Sequence, residues 1–306
     1  LKGLNAALPG AQTDENAEVR ARLQSLWYLS GSAPRKAQYT AEDDPKRLID
    51  VDRLMMEGIA LHQTGRSREA ADAYRRVIAR RPDMSLAYRR LAYIQWETGA
   101  TRDAIGTLRE TLAKNGPDIE VEIRLGTYLA ETGAVAEAVP MLERTAKAAP
   151  GHVEAANALG IAYGRAGRAN DALRTFEGVL STDPRNAFAL ENVGTVQLQR
   201  GDLRAAQDAF GRAVQNAPAS SRAHAGLGVI ASQQQRSNDA ITHWRRAVEL
   251  DARNFDALFN LTSALIRAGR GADARPYASQ FVKTAPRAFY AKDIARFNAW
   301  LAAGTR

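Results

Sequence analysis

Leu159-Gly160-x2-Tyr163-x3-Gly167-x4-Ala172-x3-Phe176, closed by Pro184, is the stretch whose reading decides the fold, because its marks recur along the chain. Gly65, Gly99, Gly133, Gly167, Gly201 and Gly269 fall on one 34-residue grid, with Gln235 at the vacancy between them. Ala70, Ala104, Ala138, Ala172, Ala206, Ala240 and Ala274 fall on the same grid without exception. A third series, Pro82, Pro150, Pro184, Pro218 and Pro286, keeps the same step, with Pro117 displaced by one residue and Ala252 in place of proline. A fixed period of this length marks a repeat architecture.

Each mark has a physical job in a helix-turn-helix unit. The glycine ends the first helix, where a left-handed residue without Cβ costs little. The alanine lets the second helix approach the first closely. The proline ends the second helix, since it lacks an N–H and disfavours helical geometry in the residue before it. Apolar residues recur between the marks at helical spacing, as in Ala70-x3-Tyr74-x2-Val77. We read seven units: 51–84, 85–118, 119–152, 153–186, 187–220, 221–254 and 255–288.

These residues resemble the tetratricopeptide repeat, whose unit has a large apolar residue, Leu-Gly/Ala, a Tyr-like residue, Gly, Ala, an aromatic and Pro at fixed offsets. The resemblance covers residues 51–288 and implies an all-α fold, a right-handed superhelix of stacked helix pairs with one continuous core. Residues 289–302, with Phe289, Ile294, Phe297, Trp300 and Leu301 at helical spacing, read as a C-terminal capping helix. The sixth unit lacks the glycine and proline, and the seventh has Ala278 where an aromatic or Leu is usual, so looser packing or a superhelix irregularity is expected there. Pro140 and Pro276 stand early in second helices and are expected to delay the helix start.

The chain has 306 residues, is 45% hydrophobic and 25% charged, and contains no cysteine. That composition supports a real core and excludes disulfide scaffolds, thiol nucleophiles and Cys-ligated metals. No apolar run is long enough for a transmembrane helix, and the first residues carry no signal-peptide pattern. A start at Leu1 leads us to expect a fragment or processed form.

Residues 1–50 read as linker around one amphipathic helix, Glu15–Leu29, through Val19, Leu23, Leu26 and Trp27. One reading is an N-terminal cap on the first repeat. The other starts from Arg22-Leu23-Gln24-Ser25-Leu26-Trp27-Tyr28-Leu29-Ser30-Gly31, followed by Asp44-Pro45-Lys46. This segment resembles the junction in bacterial sulfatase-like proteins where a hydrolase domain gives way to a tetratricopeptide tail, although Trp27 stands where that family has glycine. The resemblance implies a non-catalytic tail that organises assembly or substrate, in a periplasmic or secreted setting.

Catalytic constellations are not found. Ser32-Ala33-Pro34-Arg35 has its Arg one residue early for a sulfatase, and His62, His152, His224 and His243 include no i,i+4 pair. Gly226-Leu227-Gly228-Val229-Ile230-Ala231 matches a dinucleotide fingerprint, but Gly228 sits at the small-residue grid position shared by Gly58, Ala92, Gly126, Gly160 and Gly194. Packing explains it. Trp244 and Phe176 are read as core, and Asn260-Leu261-Thr262 as an accidental glycosylation pattern. No cofactor and no metal are expected.

Ligand binding is therefore sought on the concave stripe, which in this family comes largely from first helices. Unit positions 2, 5/6, 9 and 12/13 give Arg89, Arg90, Tyr93, Trp96, Arg124, Thr127, Asn157, Ile161, Glu191, Asn192, Thr195, Phe259, Asn260 and Ser263. Arginine forks, asparagine amides and aromatic anchors suit an extended peptide. The opposing reading makes Arg89 and Arg124 ordinary arginines neutralised by Glu97, Glu120 or Glu122. Met55 and Ile59 stand where the family's carboxylate clamp needs polar residues, which argues against binding of chaperone tails. Net charge is +8, and residues 221–306 hold 13 Lys/Arg against 6 Asp/Glu, a surface for an acidic partner. No nucleic-acid module is recognisable. The expected partner is a protein or peptide, with self-association through the solenoid ends as a further possibility.

Overall fold

Successive helices of 13 to 19 residues, joined by short turns, build the structure, a computed structural model that describes residues 45–304. The helix expected over 15–29 and the segment resembling a hydrolase junction lie outside the described residues. The chain divides into residues 1–52 and 53–306. Of the first unit, only the opening turns of α1 (Pro45–Gln63) are described. The second continues through α2 (Ser67–Arg80), α3 (Ser85–Glu97), α4 (Thr101–Asn115), α5 (Ile119–Glu131), α6 (Val135–Ala148), α7 (Val153–Arg165) and α8 (Ala169–Thr182). Then come α9 (Ala187–Gln199), α10 (Leu203–Asn216), α11 (Ser221–Gln233), α12 (Ser237–Leu250), α13 (Phe255–Arg267), α14 (Gly271–Thr284) and the capping helix α15 (Arg287–Ala302). No strand occurs among the described residues, and no helix there is long and apolar enough to cross a membrane.

First helices end alike. Gly99 has φ +83°, its N–H donates to the Trp96 carbonyl at 3.0 Å, and Ala100 N–H reaches back to the Gln95 carbonyl at 2.8 Å. This double bond pattern satisfies carbonyls that a helix end leaves free. Gln235 repeats it with φ +61°, its N–H donating to Ser232 and that of Arg236 to Ala231, so the vacancy in the glycine grid is filled by conformation. At the other end, Asp118, His152, Asn186, Ser220 and Asn254 cap α5, α7, α9, α11 and α13, each accepting a backbone N–H in the first turn.

The core rests on a large ring or branched chain of the second helix seated on a small residue of the first. A Cβ on Gly160 would lie 2.5 Å from Cζ of Phe176, and one on Gly126 2.5 Å from Cγ of Leu142. Phe176 and Trp244 are buried, as their grid positions lead one to expect.

Two expectations are corrected. Pro140 and Pro276 do not delay their helices: α6 and α14 begin at Val135 and Gly271, on the same grid step as α8, α10 and α12. Both prolines are exposed, so the carbonyls they leave unpaired face water. Nor is packing loose in the sixth unit. α11 and α12 make the most extensive contact of any helix pair, and Ala278, fully buried, is compensated by Phe281. That ring meets Phe255, Phe259, Tyr290 and Phe297 at centroid distances of 6.4, 6.1, 5.5 and 5.3 Å.

Candidate functional site: the inner face of the first helices

Each second helix from α4 onwards packs on its own first helix and on the next one, and α5 also touches α7 while α9 touches α11. No comparable contact joins successive second helices, so the stack curves with its first helices on the inside. Side chains far apart in sequence meet there. Glu97, at the end of α3, accepts hydrogen bonds from the Tyr93 hydroxyl at 2.7 Å and from Nη2 of Arg253 at 3.0 Å, and lies 3.1 Å from Nε2 of His62. Arg253 belongs to the turn before α13, 156 residues further along the chain.

Beside this cluster, Trp96 stacks on Tyr128 with centroids 4.0 Å apart and planes within 9°. The Arg124 guanidinium stands 5.9 Å from the Tyr128 ring centre and is itself exposed. Burial pushes the Tyr128 hydroxyl up to about 12. Arg89 behaves differently from Arg124: it is half-buried and bonds Glu120 at 2.8 Å, the neutralised arrangement considered for it. Arg90 is exposed, while Thr127 and Thr195 donate their hydroxyls to carbonyls of their own helices, Ile123 and Glu191.

Further along, Asn157, Glu191, Asn192 and Ser263 are buried polar residues on α7, α9 and α13. Glu191 accepts from Ser220 Oγ at 2.5 Å, and Asn192 Oδ1 accepts from Arg222 Nη2 at 3.1 Å. Asn157 Oδ1, Asn192 Nδ2 and Ser263 Oγ have no hydrogen-bond partner. Ile161 packs beside Phe176, and Phe259 lies in the aromatic cluster around Phe281. Asn260 is half-buried, and Thr262 of the accidental glycosylation pattern is fully buried.

Glu131, Arg165, Arg222 and Arg253 were not singled out from sequence. Glu131 is exposed yet flanked by protein mass, and that burial raises its carboxyl above the usual range while Arg165, Arg124 and Arg222 pull it back. Position 13 of the unit holds Glu97, Glu131 and Arg165, so the signal was present in the grid. Arg222 is at position 2. Arg253 lies in a turn, where periodicity says nothing.

Gly226 and Gly228 sit inside α11, and a Cβ on either would lie 2.5 Å from Phe210 Cζ or Trp244 Nε1, so they make room for rings. Among the described residues, no three His, Cys, Asp or Glu side chains converge as a metal site.

Family profiles described as tetratricopeptide repeat match residues 55–118, 192–237 and 230–289, and a second such profile matches 129–191. Among solved structures, a tetratricopeptide repeat protein from Parabacteroides merdae superposes with TM-score 0.60 at 13% identity, covering 82% of this chain and 99% of that one. PilW, described as a widely conserved type IV pilus biogenesis factor, gives TM-score 0.57 at 17% identity over 70% of this chain and 98% of its own. PilF of Pseudomonas aeruginosa gives 0.51 at 16% identity, over 69% and 96%. At these identities the likeness is one of fold. No curated protein matches the chain. With its repeats matched over more than half of its length and its helix pairs stacked in the same way, the chain belongs to the tetratricopeptide-repeat family.

Proposed function

We propose that the chain is a non-catalytic scaffold that binds an extended, acidic peptide segment of a partner protein along the inner face of its first helices. Proteins of this family serve generally as protein-interaction scaffolds, and the proposal narrows that role to a ligand. The observation that carries it is the set of buried amide atoms on α7 and α9 left without partners, Asn157 Oδ1 and Asn192 Nδ2. Each such atom costs about 1–3 kcal/mol when left unpaired. A peptide backbone supplies the matching N–H and C=O. Acidity is argued from charge: Arg124, Arg165 and Arg222 act on Glu131, and Arg222 also stands 3.6 Å from Glu191, so three guanidinium groups face two carboxylates. Trp96, half-buried and stacked on the buried Tyr128, offers anchoring area next to them.

The test is selection of random peptides displayed on phage against the 306-residue chain, followed by affinity measurement on the enriched sequences. Acidic peptides should enrich, and Asn157→Ala with Asn192→Ala should weaken binding at least tenfold, roughly 1.4 kcal/mol or more. Melting temperature should stay level or rise, because unpaired amides are removed. Arg124→Glu should weaken binding more than Arg89→Ala, since Arg89 is already committed to Glu120. Enriched peptides that bind the Asn157→Ala, Asn192→Ala double variant and Arg124→Glu as well as the parent chain would sink the groove assignment.

A further inference from the structure

The imidazoles of His224 and His243 face one another with Nδ1 atoms 3.5 Å apart and ring centroids 5.8 Å apart. His224 is at position 4 of its unit, on α11, and His243 at position 23, on α12. The other units carry Leu54, Tyr88, Glu122, Ala156, Leu190 and Leu258 at the first position and Ala73, Thr107, Met141, Thr175, Ala209 and Tyr277 at the second. Only the sixth unit places a nitrogen base at both. Neither ring is part of the groove cluster around Glu97 and Glu131.

Two neutral imidazoles whose lone pairs meet repel unless a proton or a cation lies between them. The 3.5 Å separation stands at the outer limit for a hydrogen bond between the two rings. Two nitrogens bound to one tetrahedral ion, at 2.0–2.1 Å each, stand about 3.4 Å apart.

From this geometry we propose that His224 and His243 form a two-imidazole site for a divalent first-row transition ion, with Cu(II) bound more tightly than Zn(II). The remaining coordination positions are left to water or to a donor on a bound partner. The surroundings agree with this. Burial lowers both imidazoles, which keeps them neutral and able to ligate, against a smaller opposing pull on His224 from the Pro218 backbone. The charges that face the pair are balanced nearby: Arg236 bonds Asp239 at 2.7 Å, and Arg246 bonds Glu249 at 3.3 Å. Both rings are half-buried, so an ion has access from solvent.

The other units supply the control substitutions. His224→Leu installs the residue found at Leu54, Leu190 and Leu258, and His243→Ala the one found at Ala73 and Ala209, so both variants should fold. Calorimetric titration of the full chain with ZnCl2, then CuCl2, near neutral pH should show one bound ion per chain. Either substitution should abolish binding, and so should acidification, which protonates the ligands. Thermal unfolding should shift upward with Zn(II) in the parent chain and in His62→Gln and His152→Gln, and not in His224→Leu or His243→Ala. Identical titrations of parent and His224→Leu would overturn the site. So would loss of binding that follows His62 or His152, or a pair whose removal lowers the melting temperature while metal ions change nothing.

Discussion

Gln235 holds a backbone conformation that its neighbours on the grid assign to glycine. A left-handed residue with a Cβ costs about 1–2 kcal/mol, partly offset because glycine has more freedom to lose on folding. Gln235→Gly should therefore stabilise the chain by about 0.5–1 kcal/mol in chemical denaturation, and Gln235→Ala should not. This residue also shows why the repeat was legible. The turn requires a conformation, so glycine is frequent there, and the one exception keeps the hydrogen bonds. The protonation of Tyr128 and Tyr163 is a second residue-scale matter, since burial pushes both hydroxyls up to about 12. An unfolded tyrosine ionises near 10. Between those values the native chain holds more protons than the unfolded one, so stability falls as pH rises through that window and is unaffected below it. Tyrosinate absorbance should show a late-titrating group of residues that includes Tyr290, raised further still, and Tyr128→Phe and Tyr163→Phe should each remove one residue from it.

Among the elements, α13, α14 and α15 are joined by Phe281, a fully buried ring that touches aromatic residues from both neighbouring helices. Phe281→Ala should cost about 3–5 kcal/mol locally. Because repeat units contact mainly their neighbours, amide exchange should quicken across α13–α15 and stay slow in α3–α8. Uniform acceleration along the chain would contradict that picture. The compensation at Phe281 was not legible in the sequence, because a missing ring at Ala278 is visible in the pattern while a replacement arriving three residues later is not. The pairing of His224 with His243 was hidden for a similar reason. Spacing along one helix reveals i,i+4 pairs, whereas these two rings meet across a helix–helix interface. First-helix positions were legible as a stripe, yet which side chains were spent on internal bonds was not: Arg89 is taken by Glu120, and Arg124 remains exposed.

For the molecule as a whole, the hydrogen bond from Arg253 to Glu97 spans 156 residues of sequence. Nothing in a 34-residue period specifies it, since it depends on the small rotation added at each unit and summed around the curve. The Arg253 side chain is 69% exposed, so the pair contributes little to global stability. Arg253→Ala should leave the melting temperature unchanged within about 0.5 kcal/mol of stability. Spin labels placed on α3 and α13 should nonetheless show a broader distance distribution. An unaltered distribution would mean that the curve is held by the helix interfaces alone. Repeat chains commonly tolerate insertion or loss of whole units, because every neighbour looks like every other. This one closes on itself at a particular unit. Removing a single unit between Glu97 and Arg253 would leave every interface intact and still bring a different turn opposite Glu97, so the clasp counts the repeats.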